Sequence, residues 1–243
     1  MDKNANTNKN YRSWRTNPNI EIQLRSMSVF QPPIFRENRP EVMWELMVTH
    51  PLATIVSAET GALSADHVPL VLYRNKGDYG LLHGHIAQSN PLFRKTKEPL
   101  EILTIFQGPQ SYITPSWYAS KQEHGKVVPT WNYVVVHAHG TLRFKQETPW
   151  LLQHLNDLTA QHEGRQPTPW KVSDAPGDFI ERQLRDLVGF EIEILDLKGT
   201  WKVSQNKDPA DWAGVRDGLE KSGNSEAVAM SVFVHKHAPK RSA

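Results

Sequence analysis

The chain has 243 residues, of which 38% are hydrophobic, with a formal net charge of +2 and a mean hydropathy of −0.55. That length suits one large domain or two small ones and allows a sizeable buried core. Cysteine is absent, which excludes disulfide frameworks, thiolate metal sites and cysteine nucleophiles. No apolar run approaches the roughly 18 residues of a membrane helix, and no signal-peptide stretch opens the chain, so a soluble, cytoplasmic protein with no membrane partner is expected.

The charge is uneven. Residues 1–26 hold five basic groups against two acids, whereas residues 27–235 carry 20 basic against 24 acidic groups. The positive excess therefore sits at the two ends. It reads most simply as solvated tails, with nucleic-acid binding by the tails as the alternative. Residues 1–26 are Asn-rich and without hydrophobic period, so this extension is expected to be disordered. Met27 follows it directly as a candidate translation start, and residues 27–243 are expected to form a single domain.

From Asn38 the pattern changes. Asn38-Arg39-Pro40-Glu41 reads as a capped helix start, with an apolar side built from Val42, Met43, Trp44, Leu46 and Met47 and an end at His50-Pro51. Strands are expected over 52–58, 62–73 and 79–87, separated by turn sequences, and Pro69 marks an edge or a bulge. Ser89-Asn90-Pro91 starts a short helix. Further strands are expected over 100–107 and 131–144, and an aromatic, hydroxyl-rich loop over 107–118. Helices follow from Thr148-Pro149 and from Asp174-Ala175-Pro176. Phe190–Leu197 and Thr200–Ser204 read as a hairpin about Lys198-Gly199, with two last helices from Asp208-Pro209 and over 226–235. Consecutive strands with few long connections point to an antiparallel barrel with helices packed outside.

Motifs for dinucleotide binding, phosphate loops, zinc proteases and serine hydrolases are missing. Glu191 and Glu193 share one strand face, most simply the solvated one. His83/His85 and His137/His139 each place two imidazoles on one side of a strand, which suits either a metal lacking its third ligand or polar residues on a half-buried barrel. His235/His237 falls in the tail. The loops around Gln107–Tyr118 and Val128–Tyr133 set Trp and Tyr rings beside amides and hydroxyls. These suit a planar heteroaromatic ligand or a subunit interface. At His83–Pro91 the strand-to-helix joint offers free N–H groups for a phosphate, or simple capping by Ser89.

Eight short runs then occur in order: His50–Thr54, Asp66–Leu70, Gly84–Ala87 with Asn90-Pro91, Phe106–Pro109, Ser116–Tyr118, Val128–Tyr133, Asp174–Pro176 and Ser204–Asn206. Together they resemble the PaiB-type FMN-binding proteins, named as negative transcriptional regulators. The resemblance covers nearly all of the chain from Met27. It implies an α+β fold, a mainly antiparallel split β-barrel with flanking helices and a C-terminal helical and hairpin extension, and a homodimer with FMN between subunits. By analogy with that fold, Ala65, Asp66, His67, Val68, His83, Gly84 and His85 line the flavin. Ser89 and Asn90 lie near its phosphate, with Arg94 or Lys202 as the cation. Trp117, Trp131, Asn132 and Lys202 close the site, with the partner chain as one source. The Asn-rich extension departs from the family pattern.

Three functions follow from these readings. The first is an FMN-binding regulator. The second is a flavin-dependent oxidoreductase using NAD(P)H, with His67 or His85 as proton donor. The third is a His-x-His metal-binding barrel without flavin. No helix-turn-helix is evident and the part between the tails is acidic, which counts against direct DNA recognition.

Overall fold

β-Branched and aromatic residues fill the segments that become strands, because their stiff side chains pack well on a pleated, half-buried surface. The computed structural model describes residues 29–58, 62–95 and 99–239. The extension 1–26, with its expected disorder, and Met27 lie outside the described residues. The strands are β1 (Arg36–Glu37), β2 (Leu52–Ser57), β3 (Ser64–Pro69), β4 (Val71–Tyr73), β5 (Leu81–Ala87), β6 (Leu100–Ile113), β7 (Thr130–Lys145) and β8 (Leu187–Lys202). The helices are α1 (Pro40–Thr49), α2 (Pro91–Lys95), α3 (Ser120–His124), α4 (Thr148–Glu163), α5 (Gly177–Arg185), α6 (Pro209–Lys221) and α7 (Ser225–Lys236).

Proline in the first turn starts α1, α4 and α6, where its missing N–H costs nothing. Asp208 and Asn224 cap α6 and α7 through their side-chain oxygens. The expected side-chain cap of α1 is absent. There, Glu37 takes up the Arg39 backbone N–H and guanidinium at 2.9 Å each and a second guanidinium nitrogen at 2.6 Å. Burial alone would raise the Glu37 carboxyl, but these Arg39 bonds hold it below the usual carboxylate range.

All pairings are antiparallel, in the order β3-β2-β6-β7-β8-β5-β4, with β1 added to β8. The two ends of this ladder, β3 and β4, are joined in sequence by Leu70 alone. The sheet therefore curls until its ends meet, and the ladder stays open between them. This is the α+β class expected, a curled antiparallel sheet with flanking helices. Ala53, Ile55, Phe106, Val134, Val136, Leu142, Phe190 and Ile192 fill the inside. Leu46 and Met43 of α1 reach in against Gly108 and Gly199.

Three expected segments differ. The hairpin about Lys198-Gly199 is one continuous strand, β8, paired along β7 and flanked by β5 and β1. Gly199 makes no turn there; a Cβ on it would lie 2.6 Å from the Trp201 ring and 2.9 Å from Met43. The loop expected from Gln107 is strand to Ile113, with a register shift between Gln107 and Gln110 that absorbs Gly108-Pro109. The run 62–73 breaks at Leu70, and Pro69 closes the end strand β3, the edge position its missing donor allows.

The outward face has two halves. Over β5 and β8 lies α4, with Trp150 and Leu151 seated on Gly189. His83 is enclosed between the rings of Tyr73 (4.3 Å) and Trp150 (4.7 Å). His85 Nδ1 lies 3.0 Å from His154 Nε2, and Tyr73 donates to Asp157. His83 Nε2 and His154 Nδ1 are buried without a partner. Burial pushes His83 down to about 4, with Lys76 adding to the effect and Glu191 opposing it. Burial, then the His85 and His83 charges, pushes His154 down to about 3. On the other half, the outward positions of β2, β3, β6 and β7 are all half-buried or exposed, among them Val56, His67, Leu103, Ile105, Val135, His137 and His139.

Two outcomes follow. In Gly140→Ala the new Cβ would stand 2.4 Å from the Glu193 carbonyl oxygen across the β7–β8 bulge. It should lower stability by about 1–3 kcal/mol, read from the urea midpoint, and an unchanged midpoint would contradict the packing described. The imidazoles under α4 have folded values below their ordinary 6.5. Their contribution is therefore full above that pH and lost as pH falls from 6.5 toward 4. The melting temperature should drop between pH 6.5 and 5, and less steeply in His154→Gln. Equal slopes in the two proteins would refute this origin.

Candidate functional site

On β3, alternation splits the expected flavin residues between two faces. Ala65 and His67 point outward, opposite Val56 and Thr54 of β2, and both are exposed. Asp66 and Val68 point the other way, and Val68 is buried in the core. The Asp66 carboxylate accepts from Asn90 Nδ2 at 2.8 Å, so the end strand is tied to the joint between β5 and α2. Asn90 Oδ1 in turn accepts from the Leu92 N–H at 2.8 Å. Asn90 therefore performs the capping expected of Ser89, and Ser89 stays exposed. Arg94 supplies the cation at this joint; its Nε donates to the Gln88 carbonyl at 3.2 Å.

The next three residues lie elsewhere. His83 and His85 face α4 and are surrounded by Tyr73, Trp150 and His154. Gly84 faces inward, where a Cβ would meet Phe190 at 2.4 Å and Leu70 at 2.7 Å. Among the described residues no group of three or more His, Asp or Glu is arranged to hold a metal ion. Spacing alone showed His83 and His85; it could not show Trp150 and His154, one helical turn apart on α4, coming down on them.

A second group gathers where β7 begins and β8 ends. The exposed Trp131 donates through Nε1 to Gln110 Oε1 at 3.0 Å and meets Tyr112 edge-on at 6.0 Å. Asn132 is buried and donates to Ser204 Oγ at 2.9 Å. Ser204 sits at φ 65°, the only non-glycine in the left-handed region among the described residues. The Lys202 ammonium donates to Thr130 Oγ1 and the Trp131 carbonyl. Burial, then the neighbouring Lys207 charge, lowers its pKa. Trp117 packs against α6, which lies so close that a Cβ on Gly214 would sit 1.9 Å from its carbonyl oxygen, and one on Gly218 would sit 2.3 Å from its ring.

The half-exposed face suits a planar ring with polar edges. Ala65 has no bulk to block it, Val56, Leu103 and Ile105 give an apolar floor, and His67 and Gln107 stand exposed on the same face. His139 Nε2, also on this face, is buried with no partner. At the β5–α2 joint stand the exposed Arg94 guanidinium and the Asn90 amide, groups of the kind a phosphate takes as partners. The floor residues come from strict alternation in β2 and β6, a period visible in the sequence but not taken as a surface there. These residues fit FMN, which supplies hydride or one-electron transfer when bound.

Comparison with known proteins agrees. Residues 29–196 match the family described as "Putative FMN-binding domain". The chain is 30% identical over 203 residues to protease synthase and sporulation protein PAI 2 of Bacillus subtilis, covering 84% of this chain and 95% of that protein. An uncharacterized protein of Aspergillus fumigatus is 32% identical over 213 residues, covering 71% of this chain and 82% of that one. Among solved structures, an FAD and heme binding protein from Mycobacterium smegmatis superposes with a TM-score of 0.49 at 15% identity. That superposition covers 69% of this chain and 73% of that one. No helix among the described residues is long and apolar enough to cross a membrane. With a family match over well over half its length and a full-length relative, the chain belongs to the PaiB-type FMN-binding family, and FMN is its cofactor.

Proposed function

We propose that this protein works as a homodimer holding FMN between its subunits, and that it exerts a regulatory effect through the flavin and not by direct contact with DNA. The observation that carries the dimer is the half-exposed face of β2, β3, β6 and β7. Val56, Leu103, Ile105 and Val135 form an apolar surface there that stays part-exposed in the single chain, and such a patch commonly marks an interface. Two groups of candidate residues lie on this protein: Ala65, His67 and Asn90 around β3, and Trp131, Asn132 and Lys202 at the β7–β8 end. Pairing two copies through the sheet face lets the second group of one subunit complete the first group of the other.

Within that site each side chain has a distinct task. Arg94 and Asn90 hold the phosphate end, Ala65 leaves room for the ring, Trp131 covers it and excludes water, and His67 holds or moves a proton at its imidazole nitrogen. The regulatory role is supported by the Bacillus relative, whose name links it to protease synthesis and sporulation. Direct DNA recognition is disfavoured by the helix pair α6–α7. Its exposed positions include Glu220, Lys221, Glu226, Val228, Val232 and Lys236, a mixed surface and not a basic stripe. A flavin-dependent oxidoreductase is the second reading, favoured by His67, His137 and His139 sharing the outward face. Oxidation of NADH or NADPH by the FMN-loaded protein with an added acceptor separates the two.

Sedimentation at micromolar concentration should give a dimer. Ile105→Asp should give a folded monomer by circular dichroism, with FMN affinity in an absorbance titration reduced about tenfold or more, about 1.4 kcal/mol. A variant that stays dimeric, or a monomer that holds FMN as tightly as wild type, overturns the shared site. A gel shift with promoter DNA at low salt should fail; a salt-sensitive shift would restore direct binding.

A further inference from the structure

Away from the sheet face, an open cleft of about 950 Å³ lies between β1, the end of β8 and the end of α7. Its walls are pinned. Gln205 Nε2 donates to the Ile34 carbonyl at 3.1 Å and to the Trp201 carbonyl, and its Oε1 accepts from the Val203 N–H at 2.8 Å. Gln31 ties the same edge to the Gly199 carbonyl. A cleft built this way has its shape before any ligand arrives.

Its charge is lopsided. Arg36, Arg39, Lys207 and Lys236 line it against one acid, Glu37. Arg39 already engages both Glu37 oxygens, which leaves Arg36, Lys207 and Lys236 without an acid of the lining as partner, Lys207 resting over the Tyr118 ring at 4.3 Å. Asp211, the acid whose carboxyl Lys207 influences, is buried and held by the Ser120 N–H and hydroxyl at 2.9 and 2.7 Å. Trp201 also lines the cleft; it is only 2% exposed, and its indole Nε1–H is buried with no acceptor. A buried donor without a partner costs free energy that a ligand acceptor can recover. Arg36, Lys207 and Lys236, the Trp201 indole, and Asn38 and Asn206 thus line one concave site.

We propose that this cleft binds a free nucleotide through its phosphates, as a site separate from the flavin. Cations select the anion, and the volume selects its size. A single phosphate would leave most of about 950 Å³ unfilled, while small-ligand pockets run to roughly 1,000 Å³. The amides and the indole N–H offer donors and acceptors to a base edge. The chain's own residues 1–26 are basic and lack the complementary charge. Duplex DNA is also disfavoured, because residues 27–239 carry 21 basic against 24 acidic groups and would repel a long polyanion.

Isothermal titration of the full chain with ADP, and separately with inorganic phosphate, tests the site. ADP should bind with a Kd on the order of 100 µM or tighter, with phosphate about tenfold weaker. Arg36→Gln combined with Lys236→Gln changes two exposed side chains. The pair should weaken ADP about tenfold, leaving the melting temperature and the FMN titration unchanged. Trp201→Phe should also weaken ADP while FMN still binds, and Lys207→Gln serves if either of these fails to fold. No heat with ADP at millimolar concentration overturns the proposal. So does ADP binding that survives the double substitution but is lost with excess FMN, which would place ADP in the flavin's phosphate site. Displacement of ADP by duplex DNA at equal phosphate concentration would assign the surface to a polynucleotide instead.

Discussion

Leu70 draws the two ends of the open sheet together. It alone separates the last residue of β3 from the first of β4, the two ends of the hydrogen-bonded ladder, and its N–H is fixed to the Pro51 carbonyl at 3.0 Å. Its side chain fits only because position 84 lacks one: a Cβ on Gly84 would meet both Leu70 and Phe190. Once the ends are drawn together, β3 lies close enough to the β5–α2 joint for Asp66 to bond Asn90. The curl also sorts the residues into a filled inside and an outside of two kinds, one half under α4 and the other half-exposed. The candidate flavin residues take their places from that sorting.

Much of the fold was legible where a local rule has a local cause. Prolines in first turns and the Asp208 cap announce helices whatever surrounds them. Glycine was harder, because the same residue serves a turn or a close approach. Lys198-Gly199 looks like a turn, yet Gly199 is there to let Met43 and Trp201 pack against β8. Gly108-Pro109 looks like the start of a loop, yet a register shift carries β6 past it. Trp117 read only as a ligand ring, and the α6 glycines it packs against, Gly214 and Gly218, lie about a hundred positions downstream.

The histidine pairs show the same limit at the site. His83/His85 and His137/His139 have identical spacing and both pairs face outward, but α4 covers one pair and leaves the other half-exposed. Period fixes a face; only tertiary packing decides what lies over it. The cofactor came from eight short runs in register, each too small to mean much alone. The basic cleft was invisible for a related reason: net charge over residues 27–239 is negative, and only folding gathers Arg36, Lys207 and Lys236 around one concavity.

The position of β8 bears on how the chain is made. β5 and β4 attach to the rest of the sheet only through β8, and β1, at the other end of the chain, pairs with nothing else: Arg36 waits for Thr200. A nascent chain released only as far as α5 would hold β2, β3, β6 and β7 as one open ladder and β4–β5 as a separate hairpin, each with bare edges. Such distant pairings make folding slow and leave sticky edges exposed during synthesis. The last-formed strand is therefore also the one that converts two fragments into a single sheet.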